Sequence, residues 1–519
     1  MIEKDAKNVT VRIERFNSNG HIGSYIQDFV IEISSNMTVL EGLNFIKSSL
    51  DSSLTFRSSC GSGICGSCGM AVNGRNVLAC ETPLAGTIND DHIIHISPLP
   101  ERPVIKDLVT DDSEFWQKYV EVKPWTNFAE ASSNQENIIS PDEVSKYNNA
   151  ERCMLCGICY SSCPVLLQDN LFIGPHAILK GFLKSSDSRD QNKKSHFINS
   201  SSIWDCTTCY KCNEVCPVDL EPGKASIILR NRLMENQKTP HAVGNALTSI
   251  YERNNPYNMA HIDRVNWIKE RNLPNASHKE VDICYLTCCS SCYDPKLQKS
   301  AKAFVDIANI FGISIGTLGD LEKCCGSEVY RLGELELFEY IVKDRLTAIE
   351  TIKASQIITN SPHCYDVYKN LYGGIDIPVL HSTQFVWELI KNRKGIQFNT
   401  INEVVTYHDP CYLGIQNNIF EEPRMILNSI PGIKLIEMEH SRKNSICCGG
   451  GGGNIWSDHK TKDRISYIRV KEALNTGASL LVTSCPFCFI ELDDAIKILD
   501  LESKLKVVDI MQLIVTALM

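Results

Sequence analysis

At 519 residues, the chain is too long for one hydrophobic core and, at roughly 100 to 200 residues per domain, divides into three or four domains. Its net charge of −10, with both signs spread along the chain and no basic stripe or polybasic tail, excludes nucleic acid and a lipid surface as partners; no apolar run approaches the roughly 20 residues of an integral membrane segment. Its 24 cysteines follow a polar opening without the apolar core of a signal peptide, so they read as ligand thiolates in a reducing, cytoplasmic compartment rather than as disulfides.

Residues 1–105 form the first predicted domain. Apolar residues alternate at 9–13 and 92–96, as in half-buried strands, and a helical stretch runs over 38–49, which together describe a small mixed α and β domain. Cys60, Cys65, Cys68 and Cys80 follow the C-x4-C-x2-C spacing with a distant fourth cysteine that holds a plant-type [2Fe-2S] cluster. Gly61, Gly63, Gly66 and Gly69 interleave with them, because a loop wrapped around a cluster needs positive φ and backbone N–H groups turned to sulfur. The G-x-G-x-x-G formed by Gly61, Gly63 and Gly66 lacks a strand-turn-helix context and is not read as a nucleotide site; a zinc site or inert thiols are the competing readings of the cysteines.

Residues 106–237 read as a helical domain around two C-x2-C-x2-C-x3-C-P runs. In such paired runs the fourth cysteine ligates the neighbouring cluster. One [4Fe-4S] cluster is therefore assigned to Cys153, Cys156, Cys159 and Cys216, and the other to Cys206, Cys209, Cys212 and Cys163, with zinc as the alternative. Residues 238–280, polar and carrying Asn-Asn-Pro and Leu-Pro-Asn, read as a loop-rich linker.

The last part repeats itself. Cys289 and Cys411 stand 122 residues apart, Cys325 and Cys448 123, and Cys364 and Cys488 124, which defines two tandem domains, 281–400 and 401–519. Each opens with a strand-like run, at 283–286 and 404–407, and carries another, at 356–359 and 480–483, separated by helical patterns; two α/β domains follow. In the second repeat, Cys411, Cys447, Cys448, Cys485 and Cys488 form a five-cysteine set. In the first, Cys289, Cys324, Cys325 and Cys364 align with four of these and Ser361 stands where the fifth is expected; Cys284, Cys288 and Cys292 are the candidate substitutes, and the site is left between a cluster, a zinc ion and none. His363 and His408 adjoin cysteine motifs and are candidate catalytic proton carriers, against a structural role for each. Arg442 and Lys443 are candidates to hold an anionic thiol, against solvated surface charge. The glycine run 449–453, which lacks the Lys-Ser/Thr of a phosphate loop, suits close backbone packing or a flexible turn.

The order of motifs over 9–235, with the loop from Arg57 to Cys80 and the segment from Pro103 to Val109, resembles the iron–sulfur subunits of succinate dehydrogenases and fumarate reductases. That resemblance implies a β-grasp [2Fe-2S] ferredoxin domain, a helical two-cluster ferredoxin domain and a separate FAD-bearing flavoprotein subunit that interconverts fumarate and succinate. Cys209 stands where that family often lacks a cysteine and carries a [3Fe-4S] cluster, so a [4Fe-4S] cluster is expected here. The repeated half resembles the CCG domains of heterodisulfide reductases, which implies a non-cubane [4Fe-4S]-type cluster on the five-cysteine set that acts on disulfide sulfur. The fold expected is thus multidomain, α+β followed by tandem α/β. Both halves on one chain resemble the thiol-dependent fumarate reductases, which implies oxidation of coenzyme M and coenzyme B thiols to their heterodisulfide and reduction of fumarate on the flavoprotein. The alternative is the iron–sulfur subunit of a quinone-linked succinate dehydrogenase whose CCG half docks on a membrane; a third reading makes that half a metal-stabilised docking module.

Overall fold

The computed structural model describes residues 7–17, 23–88, 91–126, 136–147, 149–190, 201–393, 396–457 and 464–519. Residues 1–6, on which the signal-peptide reading rests, lie outside them. The chain forms two compact units: residues 1–203 with 210–226, and residues 204–209 with 227–519.

In the first unit, the strand Lys7–Asn17 buries Val9, Val11 and Ile13 at alternate positions, the period-two pattern of a strand with one face in the core. It pairs antiparallel with Gly23–Ile33 and parallel with Ile93–Ser97, where Val11 lies opposite Ile94; Gly69–Val72 and Arg75–Leu78 complete a five-stranded sheet. The helix Val39–Phe45 begins at a capping box: the Thr38 hydroxyl accepts the Glu41 N–H, and the Glu41 carboxylate accepts the Thr38 N–H at 2.8 Å. It lays Val39, Leu40 and Leu43 on the sheet, and Ile158 and Val215 from the helical part close the same core. Arg15 and Asp107, both buried, join through Nε and Oδ1 at 2.9 Å, so the segment after the sheet is fixed by an ion pair as well as by Leu108. Helical structure then takes over, as expected, with Ser113–Glu121 and Pro175–Ser186 the longer elements before residue 190.

In the second unit the two repeats build matching parallel sheets. The first orders Val379–His381, Ala354–Thr359, Val281–Leu286, Ile315–Gly316, and the second orders Lys506–Asp509, Leu480–Thr483, Glu403–Tyr407, Ile433–Leu435. The four strand-like runs read from the sequence lie within these strands. The repeats are exchanged across one core: Pro295–Ile310 of the first packs on Ile510–Leu518 of the second, and Ser382–Asn392 of the first packs on Glu421–Ser429 of the second. Phe304, Phe385, Val405, Leu427, Val482 and Ile514 meet in that core. Each such buried side chain contributes about 1.5–3 kcal/mol.

Residues 238–280 differ from the loop-rich linker expected. They carry the helices His241–Arg253 and His261–Glu270. Val243, Ala246 and Ile250 fall at helical spacing and are buried, while Asn254 at φ 58° ends the first helix by donating its N–H to Ile250 O. The Asn-Asn-Pro signal is thus a helix stop. Among the described residues, no helix is long and apolar enough to cross a membrane.

Candidate functional site

The expected [2Fe-2S] loop turns its backbone donors onto sulfur. Cys60 Sγ receives the N–H groups of Ser62, Ile64 and Cys65 at 3.3–3.4 Å, and Cys80 Sγ receives that of Gly63 at 3.2 Å. Those three donors lower the Cys60 thiol to about 6. Gly61, Gly63 and Gly66 all have positive φ. A Cβ on Gly66 would lie 2.7 Å from Cys156 Cβ, so only glycine lets this loop approach the first Cys-Pro run so closely.

Cys153, Cys156, Cys159 and Cys216 line one small cavity with His176 and Leu220. Burial pushes Cys156 up to about 11 and Cys159 higher, with the neighbouring thiols adding to the burial. Four buried thiols facing each other suit a site in which a metal supplies the positive charge. Of the other expected set, Cys163 and Cys212 belong to the first unit and Cys206 and Cys209 to the second.

All five cysteines of the second repeat are buried. Cys447 and Cys448 enter a turn that Gly449 makes at φ 102°, donating its N–H to Cys447 Sγ at 3.3 Å. Cys485 precedes the helix Pro486–Ile498, and Cys488 lies in its first turn. The thiols form a continuous chain of contacts: Cys411 to Cys447, Cys447 to Cys448, Cys448 to Cys488 and Cys488 to Cys485. Hydrogen bonds from Cys447 and Cys488 lower Cys448 to about 5. This dense thiol set fits an iron–sulfur cluster.

The two histidines differ from the near-neutral proton carriers expected. His408 lies with Cys448 and Cys488, their candidate ligand atoms all within 4.8 Å. Burial and then Arg469 push its ring down to about 3, so it is neutral. Its Nδ1 accepts from Arg469 Nε at 3.1 Å, which leaves the proton on Nε2 and makes the ring an N–H donor rather than a metal ligand. His363 belongs to the first repeat but faces the second. Its Nδ1 donates to Glu328 Oε1 at 2.8 Å, its ring lies 4.4 Å from those of Tyr412 and Phe487, and it hydrogen-bonds Cys485. Burial opposes its charge, yet Cys485 and Glu328 outweigh burial and raise it to about 10. Glu328 in turn accepts the N–H of Gly453 at 3.0 Å.

The glycine run is neither a loose turn nor a ligand cradle by itself. Cβ atoms on Gly451 and Gly452 would lie 2.5 and 2.6 Å from the carbonyl oxygens of Thr207 and Cys206, so the run presses the second repeat onto the segment bearing Cys206 and Cys209. Cys411 and Cys209 interact electrostatically across this contact, and Tyr412 Oη donates to Thr208 O at 2.7 Å. Arg230, fully buried, donates to the carbonyls of Cys206 at 2.6 Å and Gly452 at 3.1 Å. Sequence reasoning missed Arg230, since a lone arginine on a helix carries no signal of burial. Arg442 is held by Glu421 and Glu437, so it is a surface clamp and not a substrate anchor.

In the first repeat, Cys289 contacts Cys324, Cys324 contacts Cys325, and Cys325 and Cys364 Sγ lie 3.4 Å apart. Buried Arg264 donates to Cys289 Sγ at 3.2 Å and pairs with Glu322 at 2.8 Å.

Residues 10–117 match the 2Fe-2S iron-sulfur cluster binding domain, residues 149–220 the 4Fe-4S dicluster domain, and residues 283–367 and 405–493 the cysteine-rich domain. With the thiol sets just described, these domains define an iron–sulfur oxidoreductase component. The chain belongs with the CoM/CoB fumarate reductase subunits of its own architecture: one from Methanothermobacter marburgensis is 28% identical over 94% of this chain and 95% of that one. A component of the dihydromethanophenazine:CoB–CoM heterodisulfide reductase of Methanosarcina barkeri is 29% identical over 71% of this chain and 94% of that one. A probable iron-sulfur-binding oxidoreductase of Bacillus subtilis is 34% identical over 61% of this chain, which spans about half that relative's length (46%).

Proposed function

We propose that this chain is the iron–sulfur subunit of a cytoplasmic fumarate reductase that draws electrons from two small thiols, coenzyme M and coenzyme B, and delivers them to a FAD-bearing partner. The observation that carries the reading is the buried five-thiol chain of the second repeat, set directly against the segment of Cys206 and Cys209. The overall balance is two thiols giving one disulfide, two protons and two electrons, which fumarate takes up as succinate.

A cluster held by Cys411, Cys447, Cys448, Cys485 and Cys488 would supply iron at which thiol sulfur binds and from which electrons leave singly. The remaining work falls to the chain. His363 directs a hydrogen bond at Cys485, and Glu328 fixes the imidazole through the other nitrogen, so a charged donor stands beside sulfur. His408 presents a neutral N–H on the side of Cys448 and Cys488. Gly451 and Gly452 keep the second repeat close to Cys206 and Thr207, and Gly66 does the same between the [2Fe-2S] loop and Cys156. The twelve cysteines of residues 60–216 then form the path to the partner, as one [2Fe-2S] and two [4Fe-4S] sites.

The test is a Cys448→Ser variant assembled with the flavoprotein. Thiol-dependent fumarate reduction falls to background, while reduction of fumarate by an artificial electron donor persists. Full thiol-dependent activity in the variant, or activity with a quinone and none with thiols in the parent complex, contradicts the proposal.

A further inference from the structure

The first repeat lacks the cysteine that its partner has at Cys485, and Ser361 stands there, fully buried with an Oγ that has no hydrogen-bond partner. A buried hydroxyl left unpaired costs about 1–3 kcal/mol, so a group belongs beside it. Three further cysteines lie nearby in sequence, and the structure separates them. Cys284 is on the strand Val281–Leu286, and burial sets its thiol apart with no cysteine among its interactions. Cys292 lies one turn along the helix Cys289–Tyr293 and directs its thiol toward Thr287 O at 4.0 Å. Cys288 instead hydrogen-bonds Cys364 and interacts with Ser361.

The contact chain of the first repeat therefore runs Cys289, Cys324, Cys325, Cys364, Cys288, and that of the second runs Cys411, Cys447, Cys448, Cys488, Cys485. The fifth sulfur arrives from a different element. In the second repeat it precedes the last helix of the motif, whereas Cys288 comes from the turn after the first strand, where the second repeat has Pro410. Asn360 fixes that turn, accepting the Cys288 N–H through Oδ1 at 3.2 Å and donating to Ser291 Oγ at 2.8 Å. Donors to sulfur are also in place: Gly326 N–H reaches Cys324 Sγ at 3.4 Å, the counterpart of Gly449 on Cys447, and Arg264 reaches Cys289 Sγ at 3.2 Å.

We infer that the first repeat is itself a five-thiol iron–sulfur site, with Cys288 supplying from the strand-helix turn the ligand that Ser361 cannot. The inference stands on the first repeat's own geometry and does not depend on the thiol-oxidising reading of the second.

The test uses the full chain, loaded anaerobically with ferrous iron and sulfide, and reads metal content and the Mössbauer spectrum. Cys288→Ser loses one cluster's complement of iron together with one spectral component, and Cys284→Ser and Cys292→Ser keep both. The double variant Cys288→Ser/Ser361→Cys, which moves the thiol back to the second repeat's pattern, regains the iron. This holds even if Cys288→Ser alone folds poorly, because the double variant restores the sulfur count. Undiminished iron in Cys288→Ser, zinc in place of iron in the parent chain, or no recovery in the double variant overturns the inference.

Discussion

The two cysteine-rich repeats share a strand order, a cysteine–cysteine–glycine turn and a chain of five contacting thiols, yet they differ in what surrounds those thiols. The second is enclosed by groups from several directions: His363 from the first repeat, His408 and Arg469 from its own, and the Cys206–Thr208 segment beyond Gly451. The first is braced by Arg264 and Glu322, a buried pair, and its helix Pro362–Asp366 sends His363 away to its neighbour. Duplication thus gave two similar thiol sets, and the environment separates them: one is fitted for exchange with an adjoining electron path, the other is locked by charge.

Breaking the groups that distinguish the repeats should sharpen this contrast. The largest effect is expected at His363. His363→Gln keeps a hydrogen-bonding side chain but loses the charge beside Cys485, and thiol-dependent turnover should fall by about 10²–10⁴-fold with iron content unchanged. Loss of iron from the second repeat instead would make His363 a structural support. Next comes Arg264→Leu, which leaves Glu322 buried without its cation and should cost about 3–5 kcal/mol in denaturant unfolding. Arg264→Leu/Glu322→Leu should recover most of that loss, and equal destabilisation of the double variant would show that Arg264 acts through sulfur rather than through the pair. Gly451→Ala is the smallest of the three. Its Cβ must displace the Thr207 carbonyl, at about 1–3 kcal/mol, and reduction of the dicluster region by thiols should slow accordingly. Unchanged stability and rate would show that the contact has slack.

The sequence was most informative where ligand chemistry is local. Closely spaced cysteines with interleaved glycines declare a loop wrapped on a cluster, and the repeat showed in cysteine spacing alone, so the paired sheets could be anticipated from 283–286, 356–359, 404–407 and 480–483. What stayed hidden depends on distant parts meeting. Cys288 is one of three thiols near Cys289, and only the turn held by Asn360 brings it to Cys364. His363 adjoins Cys364 in sequence but serves Cys485 in space, because the two repeats share one core. Arg230 and Arg264 look like surface residues of polar helices, and their burial follows from carbonyl and sulfur partners brought in from elsewhere. The 238–280 segment was misread because its helix stops resemble loop signals.

The central claim, that electrons enter at the second repeat and leave through the ferredoxin-type sites, is tested most directly within the loaded chain. Coenzyme M and coenzyme B are added together to the oxidised protein, and the [2Fe-2S] site is followed by electron paramagnetic resonance. The account predicts that the reduced [2Fe-2S] signal develops in the parent protein and not in Cys448→Ser; a signal that grows equally fast in both would contradict it.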